Sequence, residues 1–265
     1  MKRIAWATDV HLDFLNDGEI DAFCRQISRE NADAFLLAGD ISDAPSLGEH
    51  LRFLENSLAC KVYFVLGNHD YYHGSISGVR QEIGVITRDS DRLHWLPVAG
   101  IVELDRKTCL VGHDGWADGG YGDFDNSTVM LNDYKLIGEL AGLEKQARRA
   151  LIGQLGREAA EYLQSVLGAA LDQYNEVIVL THVPPFREAC CHEGQIADDN
   201  WLPHFSCKAV GDVLFQAMQS RPTRHMTVLC GHTHHRAEVF PLRNLRVKTG
   251  AAEYGKPQLQ EVFYV

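Results

Sequence analysis

Five apolar runs in this chain each stop at a short polar block able to bind metal, and that recurrence constrains the fold more than any other feature. The runs are Ile4 to Ala7, Ala34 to Ala38, Val62 to Leu66, Val177 to Leu180 and Met226 to Cys230. The blocks that follow them read Asp9-x-His11, Gly39-Asp40, Gly67-Asn68-His69-Asp70, Thr181-His182 and Gly231-His232-Thr233-His234. Short continuous apolar runs suit parallel strands buried on both faces. Open α/β sheets place ligands at the carboxyl ends of such strands. One ending of this type is an ordinary cap or turn. Five of them, built from Asp, His and Asn, describe one polar site assembled from the whole chain.

Helical signals separate the first three runs. Glu19 to Arg29 puts Ile20, Phe23, Cys24 and Ile27 on one face. Ser46, with Glu49 three residues on, predicts a capping box that opens a helix striped by Leu47, Leu51, Leu54 and Leu58. Ser77 to Ile86 predicts a third helix. This β-α-β-α-β order implies parallel strands joined by right-handed crossovers. Leu93 to Trp95, Gly100 to Leu104 and Thr108 to Gly112 then read as short strands in antiparallel hairpins, with a turn at Asp105-Arg106-Lys107. Helices are predicted near 128–140, 143–172 and 209–219, and three strands near 236–240, 245–249 and 260–264. The chain carries no repeat, low-complexity tract or linker, so residues 1–265 are expected to form a single domain. The segments 113–127, rich in Gly, Asp and aromatics, and 184–205, long and irregular, are expected to be substrate-pocket loops.

Charge and cysteine usage narrow the partners. The formal net charge is −11, from 25 basic and 36 acidic residues. That argues against holding nucleic acid by a broad basic surface. It leaves room for metals, because bound cations dominate their local field. The seven cysteines are scattered and contain no C-x-x-C pair, which argues against a disulfide framework and predicts a reducing cytoplasm. The apolar stretch after Lys2-Arg3 is too short for a signal peptide, and no run approaches a membrane span. The oligomeric state is left open by the sequence.

The chemistry follows from the residue types. Two neighbouring divalent ions need about four to six ligands each and an anionic group to bridge them, and imidazoles suit Mn, Fe, Zn or Ni. Asp9, His11, Asp40, Asn68, His182, His232 and His234 supply two carboxylates, one amide and four imidazoles. Gly39, Gly67 and Gly231 would let the backbone turn sharply after each strand, bringing these ligands to one edge of the sheet.

The ordered blocks D-x-H, G-D, G-N-H-D, a lone His and G-H-T-H resemble the signature of the calcineurin-like metallophosphoesterase superfamily, from Asp9 to His234. The resemblance implies a two-sheet α/β/β/α sandwich of mixed parallel and antiparallel strands. It implies that Asp9, His11 and His234 bind one divalent ion and Asn68, His182 and His232 a second, with Asp40 bridging. Mn²⁺ is favoured among Mn²⁺, Fe²⁺/Fe³⁺, Zn²⁺ and Ni²⁺. Two ions about 3.5–4 Å apart can hold a bridging hydroxide and clamp an in-line displacement at phosphorus. His69 is the candidate to protonate the leaving oxygen. Asp70 is the candidate to orient it, with a structural hydrogen bond as the alternative.

The expected activity is therefore hydrolysis of a small phosphomonoester or phosphodiester, a nucleotide being one candidate. The Arg-Gly pair of Ser/Thr protein phosphatases is missing after Asp43, where Ala44-Pro45 stand. A cyclic nucleotide phosphodiesterase is the specific alternative. A non-catalytic metal-binding scaffold for protein interaction is the alternative of another class.

Other residues have bland readings. Asp13 and Asp43 are expected to cap or solvate loops, and Lys145, Arg148, Arg149 and Arg157 to form a solvated helix face. His113 and Trp116 either line the substrate pocket or are buried for structure. Cys190-Cys191-His192 looks like a ligand cluster but lacks zinc spacing.

Overall fold

The computed structural model describes residues 1–192 and 194–265. In chain order the elements are β1 (Arg3–Ala7), α1 (Asp17–Arg29), β2 (Ala34–Ala38), α2 (Ala44–Ser57), β3 (Lys61–Val65), α3 (Ile76–Arg88), β4 (Leu93–Trp95) and α4 (Leu96–Ala99). They continue with β5 (Val102–Glu103), β6 (Thr108–Gly112), α5 (Asp133–Leu136), α6 (Lys145–Gln173), β7 (Glu176–Leu180), β8 (Cys191–His192) and β9 (Gln195–Ile196). The chain closes through α7 (Leu202–Phe205), α8 (Lys208–Gln219), β10 (His225–Cys230), β11 (Ala237–Leu242), β12 (Leu245–Thr249) and β13 (Glu261–Tyr264).

Two sheets form the middle of the molecule. The first has the order β13-β1-β2-β3-β4, parallel except for β13, and the second the order β11-β12-β10-β7-β6-β5, parallel in its four central strands. Alternation along the strands explains the layering. Ile4, Trp6, Leu36 and Val65 face inward and meet Leu110, Ile178, Leu180 and Leu229 of the second sheet. Ala5, Ala7, Phe35, Leu37 and Phe64 face outward and pack under α1, α2 and α3. Val111, Val177, Val179 and Val228 do the same under α6 and α8. The result is the α/β/β/α sandwich, with strands buried on both faces as their unbroken apolar runs required.

Several local expectations needed correction. The capping box at Ser46 does not form: α2 begins after Asp43, with Pro45 in its first turn, and Ser46 donates back to Asp43. A reciprocal capping box instead opens α1, where Asn16 Oδ1 accepts from Glu19 N at 3.2 Å and Glu19 Oε2 accepts from Asn16 N at 2.9 Å. β4 pairs parallel with β3, so only β5 and β6 make the expected hairpin. Of the helix expected over 128–140, only the single turn α5 exists. Arg148 is buried rather than solvated, its guanidinium 4.2 Å from the Tyr134 ring centre. No described helix is long and apolar enough to cross a membrane.

Candidate metal centre

The polar blocks gather where the carboxyl ends of both sheets meet, rather than at the edge of one. β1, β2 and β3 deliver Asp9 and His11, Asp40, and Asn68, while β7 and β10 deliver His182, and His232 and His234. Main-chain bonds stitch the ends together: Asp9 N donates to Gly39 O and His11 N to Asp40 O, both at 3.0 Å. Gly231 N donates to His182 O at 2.9 Å.

This convergence strains the backbone. Among the described residues, seven non-glycine residues have left-handed φ, and five of them are Asp9 (51°), His11 (43°), Asp40 (49°), His232 (71°) and His234 (57°). Such φ values cost energy for residues with a Cβ and persist only where the surroundings fix them. The glycines contribute differently from expectation. Gly39 does turn with φ 86°, but Gly67 and Gly231 have no left-handed φ. They provide clearance: a Cβ on Gly67 would overlap Asp40 Oδ1, and one on Gly231 would overlap Asp9 Oδ2.

All seven sequence-predicted ligands come together. Ligand atoms of Asp9, His11, Asp40 and His234 lie within 4.8 Å of one another. His11 Nε2 is 3.2 Å from His234 Nε2, and His234 Nε2 is 3.4 Å from Asp9 Oδ1. On the other side, His182 Nε2 is 3.1 Å from Asn68 Oδ1, and the His182 and His232 ring centres are 5.1 Å apart. Asp40 faces both groups, with Oδ1 3.3 Å from His182 Nε2 and Oδ2 3.9 Å from His11 Nε2. Buried imidazoles and carboxylates with converging donor atoms are a donor set that suits divalent metal ions.

Outer contacts orient these donors. His182 Nδ1 donates to Ala38 O and His232 Nε2 to His204 O, both at 2.9 Å. His182 Nε2 and His232 Nδ1 are therefore free to ligate. Asn68 Nδ2 donates to Asp133 Oδ1 at 2.9 Å, which turns Oδ1 of the amide inward. Tyr72 donates to the same Asp133 oxygen at 2.7 Å. Sequence reasoning missed Asp133 and Tyr72, because no motif or periodicity marks them.

Electrostatics follow from burying so many charges together. Burial alone would raise Asp40, but the charge and hydrogen bond of His182, helped by His11, hold its carboxyl well below the usual range. Against burial, Asp40 and Asp9 push His182 up to about 10. Burial pulls His11 down to about 4 despite both carboxylates. His234 is raised, against burial, by Asp9. Cations arriving here would displace protons from these imidazoles, coupling metal binding to proton release.

His69 lies beside this group, but Asp70 does not orient it. Asp70 is fully buried and accepts main-chain bonds from Ile41 (2.8 Å) and Ser42 (2.9 Å) on Oδ1 and from Gly67 (2.7 Å) on Oδ2. It ties the β2 and β3 endings together. Asp13 takes the expected place instead of solvating a loop: its Oδ2 is 3.1 Å from His69 Nε2. Burial would lower His69, but the Asp13 hydrogen bond and Asp40 raise it. His11, Asp13 and His69 themselves form a tight group. Asp13 lies two residues beyond the Asp9-x-His11 block, so no motif marks it in the sequence.

A cleft of about 360 Å³ opens onto the site, lined by Asp40, Asn68, His69, Tyr72, His232 and His234, with Tyr254 at one side and His192 and Phe205 at another. The 184–205 segment thus supplies His192 and Phe205. The 113–127 segment supplies no lining residue, and residues 131–133 do so instead. His113 and Trp116 are buried away from the cleft, Trp116 packing against Tyr71 at 5.6 Å. Between them Asp114 accepts from Leu66 N (2.8 Å), Trp95 Nε1 (2.8 Å) and Tyr71 OH (3.1 Å). These bonds hold the start of the segment in the interior. Cys190 is buried and Cys191 partly so, and neither belongs to a described group of candidate ligands.

A family model for calcineurin-like phosphoesterases matches residues 2–236. Among curated proteins, none matches the sequence. Of solved structures, the phosphopantetheinyl hydrolase of Mycobacterium tuberculosis superposes with a TM-score of 0.65 at 14% identity, covering 95% of this chain and 89% of that one. A dimetal phosphatase from Danio rerio gives 0.59 at 14% identity, over 94% and 87%. A protein from Thermus thermophilus gives 0.55 at 13% identity, over 94% and 89%. At such identities the likeness concerns the fold.

Proposed function

The chain belongs to the calcineurin-like phosphoesterase family and is a metal-dependent phosphoester hydrolase, and from that premise we propose that it cleaves small phosphomonoesters or phosphodiesters at two divalent ions bridged by Asp40. The observation that carries this reading is the split of Asp40, one oxygen toward His182 and the other toward His11. Asp9, His11 and His234 would hold one ion, and Asn68, His182 and His232 the other. Mn²⁺ is the first candidate, since a mixed carboxylate, amide and imidazole set suits it as well as Fe, Zn or Ni. When bound, the pair supplies an activated water nucleophile and charge for the phosphoryl oxygens.

The chain's own groups do the rest. Asp133 and the carbonyls of Ala38 and His204 fix the donor atoms before any ion arrives. His69 gives a proton to the departing oxygen, and Asp13 holds the imidazole toward the cleft. The seven cysteines are all free, which supports a reducing compartment such as the cytoplasm.

The decisive experiment is metal analysis together with hydrolysis of a generic aryl phosphate and a diester panel in added Mn²⁺. Two equivalents of metal and turnover are expected. Metal-loaded protein that turns over neither class would leave the scaffold reading standing. Cyclic nucleotides in the same panel separate the specific diesterase alternative.

A further inference from the structure

Two aromatic rings beside His69 have no part in the proposed hydrolysis: Tyr254, which lines the cleft, and Phe14, which packs against Tyr254 just outside that lining. Phe14 sits in a short 3-10 turn just after His11, and Tyr254 in the connection between β12 and β13. They are 54% and 52% exposed, although both are large and largely apolar. Their ring centres are 4.9 Å apart and tilted by 46°, so they make one continuous wall. Phe14 lies 5.8 Å from the His69 ring, and Tyr254 lies 6.4 Å from His69 and 4.5 Å from His11. Two segments more than 200 residues apart in the chain have been brought together to hold exposed rings at a polar site.

Charge gives a second, independent constraint. Among the described residues, none of those lining the cleft is Lys or Arg, whereas Asp133 lines it and Asp13 stands beside it. Beyond the proposed ions and His69, an anionic substituent on the departing group would find no Lys or Arg among the described lining residues, and would have the Asp13 carboxylate nearby.

We infer that Phe14 and Tyr254 form a leaving-group subsite for a flat, unsaturated ring that bears no anionic substituent. The inference rests on the proposed hydrolysis. Water oxygen bonds to phosphorus and gives up a proton, the bond from phosphorus to the ester oxygen breaks, His69 supplies the proton that the departing oxygen takes up, and a proton returned through solvent restores His69. The departing group must therefore lie on the His69 side, where its ring meets this wall. Stacked and edge-to-face rings at such spacings attract beyond the area they bury. The substrate class is then a phosphoester with one reacting phosphoryl group and an uncharged aromatic or heteroaromatic alcohol.

The test uses the metal-loaded full chain and four esters: phenyl, 1-naphthyl, 4-carboxyphenyl and ethyl phosphate. Phe14→Ala and Tyr254→Ala should each raise KM for the naphthyl ester about five-fold while changing the ethyl ester by less than about two-fold. Tyr254→Phe should behave as the parent. The 4-carboxyphenyl ester should show a KM several-fold above that of the phenyl ester. Equal losses on aryl and alkyl esters, or none on either, would overturn the subsite, and equal handling of the carboxylated ester would overturn its exclusion of anions. Absence of turnover on every ester strikes the hydrolysis itself, whereas turnover with indifferent variants strikes only the subsite.

Discussion

His182 and His232 each commit one ring nitrogen to a main-chain carbonyl, Ala38 O and His204 O, whereas His11 keeps a buried Nδ1 without a partner. The same contrast runs through the two halves of the proposed centre. Around Asn68, His182 and His232, hydrogen bonds from outside the site set the direction of every donor atom. Asp9, His11 and His234 all have left-handed backbone, as does His232 in the other half, and of these three only Asp9 is held by hydrogen bonds of this kind, from Thr8 Oγ1 at 2.5 Å and His232 N at 2.9 Å. The imidazoles of one half are aimed by main-chain carbonyls, whereas the His11 and His234 imidazoles of the other are placed by their left-handed main chain. The difference teaches that the two ions should respond separately to mutation, with Asp40 the one residue common to both.

The largest expected effect is therefore at the shared residue. Asp40→Asn should lose both ions and lower turnover by more than about 100-fold, read by metal analysis and aryl phosphate hydrolysis. Full activity in that variant would remove the bridge and merge the two halves into one. Next comes His69→Gln, where a rate about 100-fold lower is expected with both ions retained. Loss of metal there would make His69 a ligand and give the first half a member it is not credited with.

Asp133→Ala sharpens the contrast most directly. It frees the Asn68 amide, so affinity for one ion should fall by about 10- to 100-fold while the other stays unchanged in a metal titration. Asp9→Asn should give the complementary loss, and parallel loss of both ions in either variant would break the distinction. The smallest effect on chemistry is expected at Asp70. Asp70→Asn turns one acceptor into a donor facing main-chain N–H groups, destabilising the fold by about 1–3 kcal/mol in thermal melts. Metal content per folded molecule should stay intact.

Much of this was legible in the sequence because the relevant signals are local. Five apolar runs followed by ligand-type residues marked the strands and their functional ends, and the seven candidate ligands gather in two adjoining groups that Asp40 faces. For Asp70 the structural hydrogen bond, one of its two sequence readings, is the one that forms, whereas the sequence gives no sign that Asp13 serves His69. Adjacency in sequence pointed to Asp70 as the partner of His69, but a residue in a tight turn can point away from its neighbour. Asp70 turns inward to three main-chain donors, leaving the Asp13 carboxylate to meet the imidazole. The short turn α5 was read as a longer helix, and with it the role of Asp133 was lost, since no pattern records which carboxylate will face an amide 65 residues away.

By itself the sequence determined the five strands that lead into the site, which of their ends carry ligand chemistry and, through their order, the family and reaction class. These depend on residue types within a few positions of one another and on the polarity of buried strands. Only the tertiary structure decided which nitrogen of each imidazole is free, which carboxylate serves His69, and which rings flank the cleft. Those depend on contacts among segments that meet only when both sheets pack and the endings are forced through left-handed backbone into one small volume.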